Sequence, residues 1–112
     1  MAVRPIHITG IDANGCLILS DHGHTIANRG DTIQWIIDNN SGVATISSIH
    51  DTSSVDVFLP DPTRQPGNSQ NWRGTINPNL NPLPQTESYI IYYTKPGSPV
   101  VYMNDPLIQV NS

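Results

Sequence analysis

The stretch TIQWIID, residues 32–38, sets the period for the whole chain. Ile33, Trp35 and Ile37 fall on one face and Thr32, Gln34 and Asp38 on the other, with Ile36 the exception. Alternation with period two predicts a half-buried β-strand. The same pattern predicts strands at IHITGI (6–11) and CLILS, joined by DANG (12–15), whose Asn-Gly pair tolerates the positive φ of a tight hairpin. NNSG (39–42) turns the chain into the β-branched run VATISSI, and VDVF (55–58) reads as a short, marginal strand. LPDPTRQPGNSQ and NPNLNPLPQ, with six prolines between them, predict loops without ladder pairing around a strand at NWRGTI (71–76). ESYIIYYT (87–94) carries bulk on both faces, as a central strand does; KPGSP turns, and PLIQV (106–110) closes the chain. Seven or eight short strands, without a helix, repeat or internal boundary, predict an all-β, mostly antiparallel sandwich forming one domain over 1–112.

Composition agrees with this and narrows the function. Only 12% of residues are charged, against ten prolines and eight glycines, which suits many turns and few ion-paired helices. The net charge of −4, with no basic stripe, argues against nucleic acid as a partner. No apolar run approaches the ~20 residues of a membrane-spanning helix. MAVRPIHITG has neither an apolar core nor a cleavage site, so read as it stands the chain is expected in the cytoplasm. A signal removed ahead of Met1 would instead make it secreted or periplasmic. The single cysteine, Cys16, has no partner for an internal disulfide.

Three segments, RGDTIQWIIDNN, ESYIIYYTKPG and DPLIQV, resemble the cupredoxin-like family: its Gly-Asp turn and strand before Asn-Asn, its aromatic strand before the ligand loop, and its last strand. NWRGTI and the Asp-Pro-x-Ile-x-Val ending are similar to a group of uncharacterised bacterial members. The resemblance covers roughly residues 25–110 and implies a Greek-key sandwich. It also implies where type 1 copper ligands belong, and those positions hold the wrong residues. Ala44 and Thr45 stand where the first His would fall, Tyr93 where the Cys would, and Pro96 near the second His. Met103, near the axial position, is too weak a ligand alone. The resemblance therefore implies the scaffold without the copper site, and no cofactor is expected.

The remaining candidate chemistry is sparse. Arg29-Gly30-Asp31 matches an adhesion tripeptide, but a three-residue match is common by chance, and a Gly-Asp turn before a strand accounts for it. His22 and His24, at i and i+2, would share a strand face and suit a divalent metal if Asp21, His7 or His50 supplied a third ligand. Cys16, among Leu17, Ile18 and Leu19, reads as a packing thiol. There is no G-x-S-x-G elbow, no carboxylate pair stands out, and Glu87, the lone glutamate, is expected exposed at a strand start, so no enzyme is expected. Asn71, Trp72 and Arg73 form the main candidate ligand-binding group, since a ring with amides and a guanidinium suits a sugar or peptide. The expected function is a non-catalytic binding or assembly module engaging a protein partner or a second copy. The alternatives are a small lectin-like carbohydrate-binding domain and a non-blue metal protein using His22 and His24.

Overall fold

A computed structural model describes residues 2–66 and 70–111, so part of the first Pro/Asn-rich loop, residues 67–69, lies outside the described residues. Ten strands form: β1 (Val3–Ile11), β2 (Leu17–Leu19), β3 (His24–Ala27), β4 (Thr32–Ile37), β5 (Thr45–Asp51), β6 (Thr63–Arg64), β7 (Trp72–Thr75), β8 (Gln85–Thr94), β9 (Val101–Asn104) and β10 (Leu107–Val110). They make two sheets, ordered β2-β1-β4-β7-β6 and β3-β10-β8-β5, with β9 continuing the β10 side of β8. β1 runs parallel to β4 and β3 parallel to β10; the other strand pairs are antiparallel. The expected all-β sandwich is what the chain forms. No helix occurs among the described residues, hence none long and apolar enough to cross a membrane.

Alternation builds the core. Ile6 and Ile8 of β1, Ile33 and Trp35 of β4, Tyr89, Ile91 and Tyr93 of β8, and Ile108 and Val110 of β10 are all buried between the sheets. Trp35 sits at the centre, edge-on to Tyr89 at 5.8 Å and tilted against Phe58 at 5.7 Å. Its Nε1 donates to the Tyr89 hydroxyl at 3.3 Å, which satisfies two buried polar groups at once.

The Arg29-Gly30-Asp31 turn is a fold element. Gly30 has φ 82°, a conformation costly for a residue with a Cβ. Asp31 is only 2% exposed and accepts hydrogen bonds from the Ala2 and Asn28 amides and from Arg4 Nε. Burial pushes its carboxyl up, but those bonds and the Arg4 charge outweigh burial and hold the pKa below the usual carboxylate range.

Several expectations shift. VDVF does not enter a ladder; Phe58 forms one bridge to Ile76. β6 pairs with β7 inside the proline-rich loop, because Thr63 and Arg64 lie between Pro62 and Pro66 and keep their own amides. β3 and β9 were not predicted. β3 hides behind the histidines of DHGH, and β9 behind the prolines of KPGSP. The DANG hairpin forms as read, with Asp12 Oδ1 accepting from the Asn14 and Cys16 amides. Cys16, however, is exposed, because β2 alternates Leu17 and Leu19 inward and leaves Cys16 and Ile18 on the outer side.

Candidate functional site

Glu87 corrects a further expectation. On β8 it shares the inward parity of Tyr89, Ile91 and Tyr93, so it is buried, at 2% exposed. β5 ends beside it at Asp51, paired with Tyr89, and the chain then folds back through residues 52–62. That return brings the Val57 amide to Glu87 Oε1 at 2.8 Å and lays Asp56 and Asp61 alongside. Carboxyl oxygens of Asp51, Asp56 and Glu87 lie within 4.8 Å of one another, in a recess of about 180 Å³ also lined by Ile49, His50, Phe58 and Pro62. Burial raises the Glu87 pKa to about 8; the Val57 bond opposes this, while the Asp51 and Asp56 charges and a hydrogen bond to Asp56 add to it. Asp61 is raised too, first by burial and then by Asp56 and Asp51. Burial beside Asp51 and Asp56 thus favours the protonated form of Glu87 to a higher pH than for a free carboxyl, with Asp56 as its side-chain hydrogen-bond partner. Sequence reading missed this because Asp51, Asp56 and Glu87 meet only through the fold, although the parity of β8 already placed Glu87 inside.

The predicted ligand-binding trio is divided. Trp72 and Arg73 are neighbours in a strand and so leave opposite faces. Trp72 packs against the core with its Nε1 buried and without a hydrogen-bond partner among the described residues. Arg73 is exposed and lines a shallow recess with Pro60, Thr63, Arg64, Gln65 and Pro66. Asn71 accepts from the Ile37 amide at 3.0 Å and borders a different cleft. That cleft, about 720 Å³, lies at the end of the sandwich between residues 37–44 and Pro96, and the side-chain amides of Asn39, Asn40, Gln70 and Asn71 line it.

The histidines stay apart. His22 sits in a left-handed turn residue with φ 59°, outside β3, while His24 opens β3 and contacts Gln109 Oε1 at 3.2 Å. Asp21 is occupied by the Gly23 amide and the Thr25 hydroxyl, and His7 pairs with Asp38 at 2.7 Å. Among the described residues, the carboxyls of Asp51, Asp56 and Glu87 are the grouping of three metal-ligating side chains, and neither His22 nor His24 belongs to it.

The positions that the family resemblance assigns to copper do not fit it. Tyr93 is fully buried, stacks on Tyr102 at 5.6 Å and donates its hydroxyl to the Gly15 carbonyl. The Ala44 amide donates to the Thr94 carbonyl at 2.8 Å, and Thr45 Oγ1 bonds Thr94 Oγ1 at 2.7 Å. Met103 is 63% exposed and shares the outward parity of β9, away from Tyr102.

That outward side of the second sheet forms one continuous surface. It presents His24 and Ile26 from β3, Leu107 and Gln109 from β10, Thr86, Ser88, Ile90, Tyr92 and Thr94 from β8, Val101 and Met103 from β9, and Thr45, Ser48 and His50 from β5. No Asp, Glu, Lys or Arg occupies any of these positions. Register sets Tyr92 between Ser48 and Met103, Thr94 between Thr45 and Val101, and Leu107 between Ser88 and His24. Asp105, in the joint between β9 and β10, lies at the margin and lines a groove against β2.

No protein-family model matches the chain, and no curated protein matches it. Among solved structures, the chain is similar over its whole length to a pseudoazurin from Sinorhizobium meliloti, at 15% identity and a TM-score of 0.45, spanning 76% of that protein.

Proposed function

We propose that this chain is a non-catalytic binding or assembly module on a metal-free cupredoxin-like scaffold, and that it works through the outer face of the second sheet. The observation that carries the reading is the absence of formal charge from every outward strand position of that face. A sheet face held in water normally bears Lys, Glu or Arg, whereas charged side chains are depleted at the centre of protein interfaces. Ile26, Val101 and Met103, each close to half exposed or more, supply apolar area there. The test is retention of proteins from a lysate of the source cells on immobilised wild type and on Ile90→Lys. At least one protein is expected on the first and lost from the second; identical retention by both overturns the reading. Copper titration tests the scaffold half: no intense blue absorption is expected, and a stoichiometric blue Cu(II) species refutes it.

A lectin-like reading has one observation in its favour, the cleft bordered by four side-chain amides, Asn39, Asn40, Gln70 and Asn71. Amides paired in this way suit sugar hydroxyls. A glycan array decides it, with Asn71→Ala and Asn40→Ala as controls; a blank array removes the sugar.

A further inference from the structure

We infer that the partner of the uncharged sheet face is a second copy of this chain, the two copies packing face to face as a weak, symmetric dimer. This rests on the module reading above and goes further by naming the occupant.

Charge is the first argument. In a two-fold contact each surface meets itself, so any charged residue near the axis faces its own like. No Asp, Glu, Lys or Arg stands at an outward strand position of this face, whereas the outer face of the first sheet carries Arg73. At its rim, a face shaped for a foreign partner would use charge to select that partner and to steer its approach, whereas here even the marginal strands β3 and β5 present none. A charge-free face gives up that selectivity and gains freedom from self-repulsion.

Side-chain chemistry is the second. β8 runs through the middle of the sheet, so Ile90 and Tyr92 lie nearest any axis centred on the face. Beside them stand His50, paired in register with Ile90, the hydroxyls of Ser48, Ser88 and Thr94, and the thioether of Met103, none of which brings an Asp, Glu, Lys or Arg into the contact. Stacked sheets sit ~10 Å apart with their strands within about 30° of alignment, a spacing that side chains of this size fill.

Area sets the strength. The five strands of the face, at ~3.3 Å per residue and ~4.8 Å between strands, cover about 460 Å² per copy. Specific interfaces bury about 800 Å² per partner, with transient ones below that. The dimer therefore belongs to the transient class and should respond to concentration.

Sedimentation velocity between about 10 µM and 1 mM protein tests this, the range in which a contact at the low end of interface size dissociates. Wild type is expected to pass from monomer toward dimer as concentration rises. Met103→Glu and Ser88→Lys, both at exposed positions, should weaken association about tenfold or more by placing like charges against each other, with unchanged melting temperatures. Using both variants keeps the result readable if one folds poorly. Wild type that stays monomeric throughout overturns the inference, and so does a dimer that both variants leave intact. A monomeric wild type that still retains a foreign protein, lost on Ile90→Lys, removes the second copy and leaves the broader module reading standing.

Discussion

Glu87 shows how parity can outrank polarity. A carboxyl buried at 2% exposure with a pKa near 8 binds its proton more tightly in the folded chain than at the usual 4.5. The sign follows directly. Its contribution to stability is complete below about 4.5, declines as pH rises toward about 8, and is level above that. At ~1.4 kcal/mol per unit, the decline amounts to roughly a few kcal/mol. Urea unfolding between pH 5 and 9 should show it, and Glu87→Gln, which keeps the acceptor for Val57, should flatten it. A slope unchanged by that substitution would assign the titration elsewhere. Asp31 acts in the opposite direction: its lowered pKa stabilises at neutral pH and loses that effect as acid protonates it. Asp31→Ala should cost about 2–3 kcal/mol, because the Arg4 guanidinium and two amides lose their acceptor. The Asp31 turn was readable from Gly-Asp before a strand. The burial of Glu87 was present in the alternation of ESYIIYYT but was masked by the rule that a charged strand end faces water.

At Gly74 the backbone of β7 lies close against Phe58 and Pro62. A Cβ there would come within 2.9 Å of the Phe58 ring and 3.1 Å of Pro62. Gly74→Ala should therefore cost about 1–3 kcal/mol by overpacking, measured by denaturant midpoint. Gly74→Ala combined with Phe58→Leu should recover part of that loss. The sequence showed the long strands because their alternation lasts six residues or more, as in TIQWII and QTESYIIYYT. It hid β3, β6 and β9 not through length, since β2, β7 and β10 are as short and were legible, but because the histidines and prolines around them read as turns and loops. The division of Asn71, Trp72 and Arg73 among a cleft, the core and a separate recess has another origin: adjacency in a strand separates side chains instead of gathering them.

At the scale of the molecule, the two-sheet architecture was legible because turn signals and period-two runs recur along the whole chain. The acidic recess was not, since β5, the return through 52–62 and β8 bring Asp51, Asp56 and Glu87 together from 36 positions apart only when the sheets close. Nor was the uncharged face, which draws on five strands and appears once register is known. The Tyr93 hydroxyl joins the second sheet to the β1–β2 hairpin through the Gly15 carbonyl. Tyr93→Phe should loosen that hairpin, costing about 1 kcal/mol and raising amide exchange at Gly15 and Cys16; unaltered exchange would show the bond to be dispensable.

The Asn28–Asp31 turn also brings Ala2 and Asn111, far apart in sequence, to one place. The Ala2 amide binds the Asp31 carboxyl, and the Asn111 amide binds the Ala27 carbonyl just before that turn. Ala2 and Asn111 therefore meet at one knot, and the path between them is nearly a closed ring. A few glycines should splice them, with new ends opened at Gly97, where nothing lies within 4 Å of an added Cβ. Such a rearranged chain should still melt in one cooperative step.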